Sequence, residues 1–121
     1  MLRFYHGRVL TMTAGCAVSA DEVWIENDKI AYVGPARADM PAFEREIDLD
    51  GDLLLPGFKN AHAHAGMTFV RSLADDIPLQ TWLFDRIFPL EAKLTPEDVY
   101  AFTRLAILEY LTSGITSAFD M

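Results

Sequence analysis

Strand-forming segments in the first half and a strand–helix–strand run in the second predict a mixed α/β fold. Three observations carry this. Two runs of β formers flank Asn27-Asp28, an unbroken apolar run stands at Leu53-Leu54-Leu55, and a capped helical segment after Thr95 leads into a further β-rich run. Strand, helical excursion and strand make a βαβ unit, and such a unit needs parallel pairing.

The elements follow in order. Residues 4–10 are rich in β formers. Val23-Trp24-Ile25-Glu26 and Lys29-Ile30-Ala31-Tyr32-Val33 border Asn27-Asp28. Asn and Asp tolerate positive φ, so a tight hairpin is expected there. Gly34-Pro35 closes the second strand, and residues 37–45 read as a loop. Glu46-Ile47-Asp48-Leu49 alternates as a half-buried strand does, ahead of a turn at Asp50-Gly51-Asp52. The apolar run at 53–55 reads as a strand buried on both faces. Interrupted at Pro56-Gly57, it continues to Ala61 and into His62-Ala63-His64.

Gly66 and Met67 open a loop that runs through Asp75-Asp76. Residues 78–90 are expected to be helical with an irregular start, ended or kinked at Pro89. Thr95 as N-cap, Pro96 at the first helical position and acids in the first turn start the clearest helix. It is expected to reach Ser113, with Phe102, Leu105 and Leu108 on one face and Gly114 as its cap. Residues 115–119 are β-rich and end in Asp120-Met121. Two parallel strands would each keep an open edge. The sequence is therefore expected to be a piece of a longer chain, with a sheet-completing partner chain as the alternative.

Composition narrows the function. A length of 121 residues suits one ordinary domain, and 51% hydrophobic content marks a folded chain. The net charge of −8 is spread along the sequence, so nucleic acid is not an expected partner. Cys16 is the only cysteine; it forms no internal disulfide, fits a reducing compartment and is read as packing in a core. The N-terminus lacks an apolar signal-peptide core, and no run approaches the ~20 apolar residues of a membrane helix. The expected location is the cytoplasm, with no membrane partner.

Histidines at i and i+2 on a strand project from one face, so His62 and His64 can meet a single metal ion. Ala63 and Ala65 are small and leave room around them. Strand C-terminal ends are where parallel α/β folds gather their chemistry. By spacing alone, the pair suits surface or capping histidines equally well.

The run Leu55-Pro56-Gly57-Phe58-Lys59-Asn60-Ala61-His62-Ala63-His64 resembles the first barrel strand of the amidohydrolase superfamily. The resemblance continues through Ala65-Gly66-Met67-Thr68-Phe69-Val70-Arg71, Ala74-Asp75-Asp76-Ile77-Pro78-Leu79, Trp82-Leu83 and Ile87-Phe88-Pro89-Leu90-Glu91. It closes on Gly114-Ile115-Thr116-Ser117 with Asp120-Met121. It is strongest to the branch holding the S-adenosylhomocysteine/5′-methylthioadenosine deaminases, guanine and cytosine deaminases and triazine chlorohydrolases. Ala63 departs from a threonine often seen between the histidines, and Phe88 from a common tryptophan. Both loosen the assignment to one substrate.

The resemblance implies that residues 1–54 form half of a small β-sandwich and residues 55–121 the start of a (β/α)8 barrel. A whole barrel takes ~250 residues. It implies hydrolytic deamination of an adenosine-type nucleoside, with a metal that acidifies the attacking water. The metal would be divalent, zinc first, with iron or manganese as alternatives. His62 and His64 would be ligands, and the remaining ligands and the acid/base glutamate would come from later strands. No catalytic acid/base is expected within this segment, so the isolated chain is expected to be inactive.

The same likeness makes Glu91 an acceptor for ribose hydroxyls and Trp82 a wall of the substrate pocket, although Trp82 suits a core equally well. Asp120 would orient a ligand histidine from behind, although it suits a loop-start or helix-capping acid equally well, and Asn60 would support the strand end. Asp75-Asp76 are read as structural and His6 as inert; Met67 and Phe69 line the pocket mouth or pack. Partners are a small nucleoside or heterocyclic amine, and related enzymes often form homo-oligomers. A guanine or cytosine deaminase, a triazine hydrolase and a non-catalytic binding domain are the alternatives.

Overall fold

The computed structural model describes residues 1–15 and 17–121; the core position expected for Cys16 falls outside the described residues. The described chain is mixed α/β and divides into two compact units, Met1–Pro56 and Gly57–Met121.

The first unit is all β. Its strands are β1 (Leu2–Tyr5), β2 (Arg8–Leu10), β3 (Val18–Ser19), β4 (Glu22–Glu26), β5 (Lys29–Gly34), β6 (Arg45–Asp48) and β7 (Leu53–Leu54). They form one sheet in the order β5-β4-β1-β6 and a second in the order β3-β2-β7. The β4–β5 hairpin turns where expected, with Asn27 at φ +56°. Val9, Val23 and Trp24 are its buried apolar side chains.

Glu22 is buried beside them, which a carboxylate tolerates only when paired. Arg3 forks onto it through Nε at 2.9 Å and through Nη2, and Trp24 Nε1 donates to it at 2.8 Å. The Arg3 guanidinium holds the Glu22 carboxyl below the usual carboxylate range. Arg3 Nη1 also reaches Glu46 at 2.7 Å, so one guanidinium ties β4, β1 and β6 together.

The apolar run at 53–55 corrects the sequence reading. It does not open a strand that runs on to Ala61. Leu53 is 42% exposed, and β7 pairs in parallel with β2. Pro56 has no N–H to donate, so no ladder crosses it.

The second unit contains β8 (Phe58–Ala63), a 3₁₀ helix (Ala65–Val70), α1 (Leu79–Thr81), a π-helical stretch (Trp82–Ile87), α2 (Phe88–Glu91), α3 (Pro96–Thr112) and β9 (Ile115–Asp120). β8 and β9 pair in parallel, with α3 in the crossover. The strands come so close at Gly57 that a Cβ there would overlap the Thr116 side chain. Among the described residues, no helix is long and apolar enough to cross a membrane.

Three expectations change here. The loop expected from Gly66 onward begins instead as the 3₁₀ helix. The helical span expected over residues 78–90 is present, but of the two outcomes expected at Pro89 the end is not seen, since the helix continues to Glu91. The π-helical stretch explains this: Phe88 N–H donates to Leu83 O, five residues back. This wider turn takes the ladder out of α register just ahead of the proline, which lacks a donor and would crowd the carbonyl four residues earlier.

The third change is the face of α3. Leu105 and Leu108 are 45% and 62% exposed and do not share the inward face with Phe102. The packed stripe is Phe102, Ala106 and Glu109, at i, i+4 and i+7. A spacing of three repeated twice drifts around a helix of 3.6 residues per turn, whereas four and then three stays on one side.

Candidate metal centre

β8 delivers His62 near its end, and His64 sits one residue past it. Both histidines are exposed, while Ala63 and Ala65 are buried. Ala65 nevertheless lines an open cavity beside His64. The pairing of β8 with β9 slips between Asn60 and Ala63: three residues of β8 are spanned by two of β9, from Ala118 to Asp120. A bulge of this kind re-aims side chains at a strand end.

The two rings converge. His62 Nε2 and His64 Nε2 are 3.0 Å apart, with ring centroids at 4.9 Å and planes at 67°. Two nitrogens bound to one tetrahedral zinc at ~2.0–2.1 Å would stand roughly 3.3 Å apart. The observed separation is within a few tenths of an ångström of that value, and imidazole nitrogen suits zinc and iron. The donors therefore fit a divalent transition ion. Among the described residues, no group of three or more His, Cys, Asp or Glu side chains is placed to hold one.

The backbone around the pair is held by side chains. Asn60 Oδ1 accepts from His62 N–H at 3.2 Å. Asp120 Oδ1 accepts from Ala65 N–H at 2.7 Å, and Met121 N–H donates to Ala63 O at 3.0 Å. Asp120 thus grips the peptide next to His64, and no imidazole.

Trp82 and Met67 line an open cavity of about 440 Å³ beside His64, together with Asp75 and Glu109. Glu91 is not part of that lining; it stands half-buried at the end of α2. Phe69 packs, stacked on Phe102 at 5.0 Å. His6 belongs to the first unit, where its Nδ1 lies 3.1 Å from Asp48 Oδ2.

One pair was missed by sequence reasoning. Arg71 Nη1 and Nη2 donate to Glu109 Oε1 and Oε2 at 2.9 and 2.8 Å. Each holds the other charged: the carboxylate raises the guanidinium pKa, and the guanidinium lowers that of the carboxyl. The partners are 38 residues apart, and nothing local in the sequence signals the contact.

Residues 53–121 match the model of the amidohydrolase family. The chain is 52% identical over 97 residues to a 5-methylthioadenosine/S-adenosylhomocysteine deaminase of Syntrophomonas wolfei, covering 80% of this chain and 22% of that protein. It is 48% identical over 124 residues to the protein of that name from Syntrophobacter fumaroxidans, covering 99% of this chain and 28% of the other. The crystal structure of an adenosine deaminase from Xanthomonas campestris with bound zinc superposes with a TM-score of 0.91 at 36% identity, over 99% of this chain and 28% of that one. Zinc-complexed atrazine chlorohydrolase from Arthrobacter aurescens superposes with a TM-score of 0.85 at 26% identity, with the same coverage of 99% and 28%. The chain spans about a quarter of the length of these curated relatives.

Proposed function

Because the chain belongs to the amidohydrolase family, we propose that His62 and His64 are two ligands of a divalent metal in a hydrolase that deaminates an adenosine-type nucleoside. S-adenosylhomocysteine and methylthioadenosine are the proposed substrates. The convergence of the two imidazoles at 3.0 Å carries the reading. The relatives named as deaminases, and the zinc in the two solved structures, support it.

In this reading residues 1–54 are strands of a small β-sandwich, and residues 55–121 are the first βα units of a (β/α)8 barrel. The parallel β8–β9 pair with its crossover helix is what such a barrel start requires. The composition, with a single cysteine, fits the reducing cytoplasm.

Each residue has a task. His62 and His64 bind the ion, zinc first, with iron or manganese as alternatives. When bound, such an ion supplies Lewis acidity toward water near neutral pH. Asn60 and Asp120 fix the backbone on either side of the pair, so the rings are aimed before anything binds. Trp82 walls the cavity beside His64, where its flat face suits a purine. Glu91 accepts hydrogen bonds from a vicinal ribose diol. The substrate is a small molecule, and a homo-oligomer suits the family likeness.

The likeness to atrazine chlorohydrolase favours a second reading, a heterocycle hydrolase of the same branch. A non-catalytic binding domain is the third.

Metal analysis separates enzyme from binding domain. The natural polypeptide that contains residues 1–121 will purify with roughly one zinc, iron or manganese ion per chain. His62→Ala and His64→Ala will each lose it, together with deamination of S-adenosylhomocysteine. A wild-type protein free of metal after loading and gel filtration would overturn the enzyme reading.

A further inference from the structure

We propose that the Arg71–Glu109 ion pair is a positioning latch for His64, holding the 3₁₀ helix that begins beside it against α3. The inference rests on the reading of His62 and His64 as metal ligands.

His64 lies at a joint. The strand ends at Ala63 and the 3₁₀ helix begins at Ala65, and His64 itself has φ −132° and ψ 68°. Its imidazole direction therefore depends on the angle between strand and helix. The strand side of the joint is fixed by Met121 N–H on Ala63 O, and the first residue of the helix by Asp120 on Ala65 N–H.

Beyond Ala65 the helix packs on α3, in the largest element-to-element packing of the described chain. Polar and aromatic contacts are part of it. Thr68 Oγ1 donates to Phe102 O at 3.1 Å, Phe69 stacks on Phe102, and Arg71 forks onto Glu109. The first two sit near the N-terminal half of α3. Arg71, next to the buried Val70, adds a charged anchor farther along α3, where the chain turns away through Ser72 at φ +56°. Met67 N–H donates to His64 O at 2.9 Å, so a swing of this helix carries the His64 peptide with it.

The chemistry of the pair suits position more than stability. A bidentate guanidinium–carboxylate contact fixes both distance and plane, which a lysine cannot do. Both side chains remain about half exposed, and exposed pairs contribute little to global stability. The latch should therefore show itself in the metal site before it shows itself in unfolding.

Cobalt(II) is the probe, loaded into the natural polypeptide containing residues 1–121 and titrated with a chelator. Arg71→Ala and Glu109→Ala will each weaken cobalt binding about tenfold and change the visible ligand-field band. Arg71→Lys will recover part of the loss. The swap of Arg71→Glu with Glu109→Arg will restore affinity to within about threefold of wild type. In the metal-free protein, Arg71→Ala will speed amide exchange at Met67. Should the alanine variants not fold, Glu109→Gln, which keeps the shape and removes the charge, takes their place. Unchanged cobalt affinity and spectrum, with only a lowered melting temperature, would make the pair an ordinary surface contact and overturn the latch. If His62→Ala and His64→Ala keep the wild-type cobalt spectrum, the metal-ligand reading itself fails and the latch falls with it.

Discussion

Glu91 is where substrate class is decided in this reading. It stands at the end of α2, outside the cavity that His64 and Trp82 share. A carboxylate that grips a ribose diol matters only to substrates that carry ribose. Glu91→Gln in the natural polypeptide will therefore raise KM for a nucleoside at least tenfold, about the loss of one charge-assisted hydrogen bond. It will leave free bases nearly unchanged. Equal effects on both would remove the argument for a nucleoside and favour the triazine or free-base reading. Asp120 shows how far one residue type can be read. Its place at a strand end beside the histidines was legible from sequence order. Its partner, the Ala65 amide, was not, because that contact spans 55 residues.

Among the elements, α3 was the most legible and the most misread. Its start is encoded locally: Thr95 Oγ1 accepts from Asp98 N–H at 3.2 Å, and Asp98 Oδ2 accepts from Thr95 N–H at 3.0 Å. The Thr95 amide and hydroxyl hold the Asp98 carboxyl below the usual range. A lowered folded pKa contributes stability that is complete above the unfolded value of ~3.9 and lost as pH falls through the folded one. Acidification below about pH 4 will thus fray the start of α3. Asp98→Asn will remove that part of the pH dependence, as read by amide exchange in the first turn of α3. A wild-type first turn whose protection does not change with pH would show that the cap adds nothing. The inward face of α3 was misread because its apolar residues lie all around it, and only contact with the 3₁₀ helix selects Phe102, Ala106 and Glu109. A helix over residues 78–90 was legible, but the π register ahead of Pro89 was not.

For the molecule as a whole, the described chain carries two converging imidazoles, the two proposed metal donors, and large apolar side chains left exposed, Leu108, Leu111 and Phe119 among them. β8 pairs only with β9. Catalytic zinc sites usually have at least three protein ligands. Residues 1–121 produced alone will therefore bind zinc weakly and will not deaminate S-adenosylhomocysteine. Turnover by that purified chain, with no other polypeptide present, would defeat the two-ligand account.

What the sequence determined by itself was local and chemical: the hairpin at Asn27, the cap at Thr95, the glycine at 114 and the pairing of two imidazoles at i and i+2. Each needs only neighbours within a few residues, so composition and spacing suffice. The tertiary structure decided the rest. It kept the apolar run 53–55 in the first unit and began β8 in the second, chose which side of α3 turns inward and brought Asp120 and Glu109 to partners dozens of residues away. Those outcomes depend on which surfaces meet, and a contact between distant residues leaves no periodic trace in either segment.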